Sequence, residues 1–254
     1  RELEVADEVT SDLGVSVKDA DLVILATPIF TFENIFKGIS EYLKDGCVVT
    51  DVGSTKVSPD KWAKDNLPDT VCYVGSHPIA GSEQRGVEFA RDDLFYRANC
   101  ILTPSNGSDP VAVALLENFW EKLGCYIKKM SPEEHDRIFG AISHVPHITA
   151  ASLTNASDEE AMKYSGKGFI DTSRIASGPA NVWADILLTN RENCAAGIDR
   201  VIEELTKLKQ AIEENDREKV EGLLEKARNK RKELINYKIK QKESAKSAFL
   251  ILNQ

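Results

Sequence analysis

No stretch of this 254-residue chain approaches the roughly 18 consecutive apolar residues of a membrane span. With 42% hydrophobic and 29% charged residues, the composition is that of a soluble globular protein, and no membrane partner is expected. Basic clusters interleaved with aromatics are missing too, and the net charge is −9. That balance argues against nucleic acid and towards a small-molecule ligand. There is no CxxC, and the five cysteines are an odd number. Cys47, Cys72, Cys100 and Cys125 fall on or beside apolar strand-like runs, and Cys194 lies in a helical stretch. Reduced thiols in a cytoplasmic protein fit this better than a disulfide framework or a zinc site, so no metal is expected. The opening RELEVADEVTSD is charged, which does not read as a signal peptide.

What is present divides at Met130. Over residues 1–130, apolar runs without alternation are separated by helical patterns: DLVILATP ending at Thr27-Pro28, residues 47–52 ending in GSTK, VCYVG, ANCILTP and CYIKKM. Amphipathic or helical stretches follow at Phe30 to Leu43, after Pro59 and at 109–123. Such runs are what a parallel sheet covered on both faces produces, so the expected fold class is α/β, a doubly wound, mostly parallel, Rossmann-like sheet. Residues 131–254 read as helices almost throughout. Ser131 is a candidate N-cap, with Pro132 at the first helical position and Glu134 three residues after the cap. Ile198, Val201, Ile202, Leu205, Leu208 and Ile212 keep a three-and-four spacing. Val220, Leu223, Leu224, Ala227, Leu234 and Ile235 do the same after a turn near Asn215. Core packing absorbs such stripes in many proteins, but this many also suits a subunit interface, and a homodimer is expected.

The chemistry is expected around VCYVGSHPIAGSE. Gly75 and Pro78 should end the apolar strand, leaving His77 at its carboxyl end, where open α/β sheets bind ligands. A neutral imidazole there is a candidate general base, against the plainer reading of a turn-capping histidine. Ser54 follows a strand's carboxyl end in DVGSTK, and Ser82 follows His77. SHVPH sets Ser143, His144 and His147 around Pro146, which is expected to open a new helix and leave free amides for an anion. Arg174 stands three residues after Asp171, beside Gly178-Pro179, as a possible bidentate clamp for a carboxylate. A structural salt bridge to nearby acids is the plainer alternative for it.

Taken together, ATP at 26–28, DVGSTK at 51–56, GSHPIAGSE at 75–83, LTP at 102–104, SPEEHD at 131–136, SHVPH at 143–147 and DTSRIA at 171–176 resemble the prephenate/arogenate dehydrogenase family of tyrosine biosynthesis. The resemblance covers nearly the whole chain, in the family's order. It implies a dinucleotide-binding domain, here 1–130, and a helical substrate and dimerisation domain, 131–254. The implied reaction is oxidative decarboxylation of prephenate to 4-hydroxyphenylpyruvate, or of arogenate to tyrosine, with NAD or NADP taking the hydride. His77 would be the base and Ser54 would orient the substrate hydroxyl. Thr27, Pro28 and Ser54 would lie near the nicotinamide. Arg174 would hold a substrate carboxylate, steadied by Asp171 or Glu83, with Ser82, Ser143 and His147 lining the pocket. His144 and His135 would be packed helix histidines, and Arg85 a surface charge near the loop.

The sequence departs from the family where a strand, a GxGxxG turn and an acidic strand end would hold the adenosine half of the cofactor. The chain as written is expected to start after about the first two strands. Ser82 stands where the family often has threonine, and no small-ligand regulatory domain is expected after the helices. Two competing readings are a β-hydroxyacid-type dehydrogenase, usually with a lysine base in its helical domain, and a cofactor-less scaffold. The SHPIAGSE loop argues against the first, and tight binding of NAD or NADP would exclude the second.

Overall fold

The computed structural model describes residues 6–80 and 89–252, with side chains described as far as residue 240. It contains two compact units, residues 1–198 and 199–254, the second beginning within a long helix.

In the first unit, α1 (Leu13–Val17), β1 (Leu22–Leu25), α2 (Phe32–Ile39), β2 (Val48–Asp51), α3 (Val57–Asn66) and β3 (Cys72–Tyr73) make a three-stranded parallel ladder and its helices. A second ladder joins β4 (Gly75–Pro78), β5 (Asn99–Thr103) and β6 (Tyr126–Lys129), with α4 (Pro110–Lys122) between the last two. Asp109 caps α4 through the Val111 amide at 2.9 Å, and Pro110 sits at its first helical position, where no amide is needed. Val49 faces a core with Phe32, Phe36, Ile39 and Ala63, while its neighbour Val48 faces another with Leu102, Leu116 and Trp120. Period-two alternation along β2 thus puts apolar side chains on both faces, and helices cover both.

The expectation that the strand ends at Gly75 is corrected here. After Val74 the chain leaves its parallel neighbour and continues as β4, antiparallel to β5, with His77 opposite Ile101. His77 therefore sits inside a strand. Gly75 permits this turn of partner, because a Cβ there would stand 2.7 Å from Thr103 Oγ1 and 2.9 Å from Lys56 Cδ.

Past β6 come α5 (Pro132–Phe139), a π-helical turn at Gly140–His144, α6 (Val145–Ala156), α7 (Glu159–Met162), α8 (Lys167–Ser173), a 3₁₀ turn at Arg174–Ser177 and α9 (Ala180–Thr189). Ser131 caps α5 through the Glu134 amide at 3.1 Å, as its sequence implies. Pro146 does not open a free helix terminus. Instead, the Val145 amide reaches back to the Gly140 carbonyl in the wide π turn, so α5 runs into α6 without a break. The widened turn absorbs the missing proline donor, and the amides expected for an anion are spent.

The second unit consists of the end of α10 (Arg191–Glu213) and α11 (Arg217–Leu252), joined at Asn215, whose φ of 54° makes the left-handed turn. No helix among the described residues is long and apolar enough to cross a membrane.

Candidate active site

β1 and β2 end side by side, and a cleft of about 500 Å³ opens at their carboxyl ends. Ala26, Thr27, Pro28 and Ile29 line it from the first strand, and Val52, Gly53 and Ser54 from the second. Val182, Asp185 and Ile186 of α9 close the far wall. Open α/β sheets bind ligands outside the carboxyl ends of their strands, and this cleft lies there. The small residues fit the flat nicotinamide end of a dinucleotide. A Cβ at Gly53 would stand 2.8 Å from Asp51 Oδ2 and 3.3 Å from Ile29, so that position keeps the floor low. Thr27, Pro28 and Ser54, expected near the cofactor, are together here.

Beneath the cleft lies a fully buried ion pair. Lys56 Nζ is 2.5 Å from Asp51 Oδ2 and donates to the Ser76 carbonyl at 2.6 Å. Tyr73 donates its hydroxyl to Asp51 Oδ1 at 2.9 Å, and the Gly53 amide donates to Oδ2 at 2.9 Å. Every oxygen of Asp51 is thereby satisfied, which a buried charge requires. Burial lowers the Lys56 pKa, with the Asp51 carboxylate opposing it, and burial pushes the Tyr73 phenol well above its usual value.

His77 stands on the same face of β4 as Gly75, above this pair. Its Nδ1 is 2.8 Å from Nε2 of His135, and Nδ1 of His135 is 2.8 Å from Asp136 Oδ1. Phe139 stacks on His135 with ring centroids 4.4 Å apart, and lies 4.9 Å from His77. Asp136 reaches further: it accepts the Lys56 amide at 2.8 Å and the Val57 amide at 3.0 Å, capping α3 from another helix. Burial holds the His77 pKa well below the usual imidazole value, helped by the Lys56 ammonium and by His135 and His144. His135 is a packed helix histidine as expected, with a partner the sequence did not suggest. It is completely buried and in contact with His77.

Ser143 lies in the π turn and His147 in α6, four positions further on. His147 stacks flat on Trp183 of α9, centroids 3.5 Å apart and planes 9° from parallel, and its buried Nδ1 has no hydrogen-bond partner. Burial lowers its pKa, opposed by the Ile175 backbone. A Cβ at Gly178 would stand 2.1 Å from Trp183 Nε1, so only glycine allows this stack. His144 is buried as expected, 3.1 Å from Asn190 Nδ2, and burial carries its pKa down to about 4. Asn190 also donates to the Asp136 carbonyl at 2.7 Å.

Arg174 begins the 3₁₀ turn that packs on α6, and both it and Asp171 are exposed. Ser82, Glu83 and Arg85 lie outside the described residues. No hydrogen bond joins Ser54 to His77. They are linked through the Lys56 amide and Asp136. Sequence reasoning missed Asp136, Lys56, Asp51 and Trp183, although DVGSTK and SPEEHD contain three of them.

Residues 1–129 match the family model "Prephenate dehydrogenase, nucleotide-binding domain", and residues 131–226 match "Prephenate dehydrogenase, dimerization domain". The cyclohexadienyl dehydrogenase of Zymomonas mobilis is 35% identical over 223 residues, 85% of this chain and 76% of that one. The prephenate dehydrogenase of Bacillus subtilis is 37% identical over 226 residues, again 85% of this chain, but the match spans 60% of the Bacillus protein. The crystal structure of Aquifex aeolicus prephenate dehydrogenase with hydroxyphenyl propionate and NAD+ superposes with a TM-score of 0.84 at 35% identity, covering 92% of this chain and 83% of that one. With both halves of the site on family-matched segments, the chain belongs to the prephenate dehydrogenase family.

Proposed function

We propose that this chain oxidatively decarboxylates prephenate to 4-hydroxyphenylpyruvate, with NAD or NADP as hydride acceptor, and that it acts as a homodimer with residues 1–130 and 131–254 as its two functional domains. The observation that carries the proposal is His77. It is half-buried, burial and the nearby Lys56 ammonium hold its pKa well below the usual imidazole value, and its Nδ1 is held 2.8 Å from His135 Nε2. The substrate's ring alcohol must lose a proton as hydride leaves the same carbon, and a neutral imidazole is the group that takes it. Hydroxyphenyl propionate, bound with NAD+ in the Aquifex enzyme, carries the phenol ring and three-carbon acid of such a product.

Thr27, Pro28 and Ser54 would hold the nicotinamide end. When bound, the dinucleotide supplies the hydride acceptor. The chain's own residues do the rest. Ser54 orients the ring hydroxyl, and His77 takes its proton. Arg174 grips a carboxylate, with Asp171 and Glu83 as candidate supports. Ser82, Ser143 and His147 line the substrate pocket, and the Trp183 face keeps the His147 ring in one orientation. Loss of carbon dioxide from the ring restores aromaticity, so the protein's share is largely orientation.

The test is reduced-nicotinamide formation from prephenate by the protein carrying this chain. His77→Asn should lower kcat by about 10²- to 10⁴-fold with KM little changed, the scale of a lost general base. Full activity in that variant would remove His77 from the role. Between the two cyclohexadienes, prephenate should have the larger specificity constant, and His147→Ala should weaken prephenate use more than arogenate use. A clear arogenate preference would contradict this reading of the pocket.

A further inference from the structure

Resting on that assignment of His77, we propose that His135 and Asp136 are positioning residues that fix which nitrogen of His77 carries the proton, and that they tie the base to the loop bearing Ser54. The chain of donors has one direction. Asp136 Oδ1, as a carboxylate, only accepts, so His135 Nδ1 must carry the hydrogen of their 2.8 Å contact. A neutral His135 then has its lone pair at Nε2. The 2.8 Å contact from His135 Nε2 to His77 Nδ1 is therefore donated by His77. That leaves His77 Nε2 unprotonated, ready to accept. Burial lowers the pKa of His135, against the pull of Asp136, which keeps this middle link neutral.

The fixed end of the chain is Asp136, which is 1% exposed. The amides of Lys56 and Val57 also donate to it, so the carboxylate is pinned at the amino end of α3. Lys56 follows Ser54 by two residues. One carboxylate thereby sets both the tautomer of the base and the place of the loop that orients the hydroxyl. Phe139 stacks on His135 and flanks His77, restricting the rotation of both rings.

The test uses two readouts on the intact protein. Nitrogen NMR of the histidine rings, with His77 identified by its loss in His77→Asn, reports the tautomer without any turnover. The unaltered protein should show His77 protonated at Nδ1. In Asp136→Asn the new amide oxygen can keep an α3 amide while its NH₂ faces His135, reversing the chain, and His77 should become protonated at Nε2. Its kcat should fall about 10²- to 10³-fold with KM within about threefold, as expected for a base in the wrong tautomer. His135→Gln, whose amide oxygen still accepts from His77, should retain at least about ten times the kcat of His135→Phe, which stacks but accepts nothing. That pair carries the comparison if Asp136→Asn does not fold. A His77 ring protonated at Nε2 in the unaltered protein, or equal kcat in the two His135 variants, overturns the proposal. Absence of prephenate oxidation by the unaltered protein sinks the functional reading instead, and leaves the tautomer result standing.

Discussion

Lys56 and Asp51 show how much a single residue near this site is asked to do. Both are fully buried, and the lysine bridges Asp51 to the Ser76 carbonyl just before His77. Removing one partner leaves a charge in low dielectric, so Lys56→Met should cost about 3–5 kcal/mol of stability in urea unfolding. A loss under about 1 kcal/mol would mean the pair is not the buried contact described. Gly178 is the second such position. Ala there collides with Trp183 Nε1, so Gly178→Ala should unstack His147 and lower kcat/KM for prephenate by about 10²-fold, the scale of a misplaced binding group. Unchanged kinetics would show that the stack plays no part. At this scale the sequence was partly legible. His77, Ser54 and His147 stood out through GSHPIAGSE, DVGSTK and SHVPH taken together in one order along the chain, since each residue alone has an ordinary structural reading. His135 did not, because its bond to His77 spans 58 positions and SPEEHD reads locally as a helix start.

Elements explain where those side chains end up. Capping and periodicity sufficed for α4 and α5, since Asp109, Pro110, Ser131 and Pro132 act within their own turns. They failed at two places where tertiary packing decides. The strand through Val74 changes partner because Thr50 Oγ1 and the Val49 carbonyl hold Val74 while β5 claims Gly75–Pro78. The π turn before Pro146 has no local signature, and it brings His144 to Asn190. The elements also bury His135, His144 and His147 and half-bury His77, and burial is the largest cause lowering each pKa. The unfolded chain takes up protons near pH 6.5 while the folded rings resist, so acidification favours unfolding. For His144 the loss begins near the unfolded value and is complete near its folded value of about 4, amounting to about 3 kcal/mol. Chemical denaturation at pH 7 and pH 5 should show the decline, and His144→Gln should flatten part of it. Equal stability at both values would contradict the buried neutral ring.

For the whole molecule, the second unit carries an exposed apolar stripe. Ile202, Leu205, Ile212, Leu224 and Leu234 are each more than half exposed, on segments whose spacing already suggested an interface. Residues 131–226 match a dimerization domain, so light scattering at micromolar concentration should give twice the mass of one chain. A single-chain mass would leave the stripe unexplained. The parallel core of the fold was legible from unbroken apolar runs, whereas the joining of cleft and helices was not. Thr55 meets Thr189, and Asp136 caps α3, across more than 75 positions each. The central claim is that His77 works as a neutral base with a lowered pKa, and the pH dependence of kcat/KM for prephenate tests it most directly. Activity should rise with pH through an ionisation below the usual imidazole value and then stay level through neutrality, with that limb absent from the residual activity of His77→Asn. A limb at or above pH 6.5, or the same limb in His77→Asn, would contradict it.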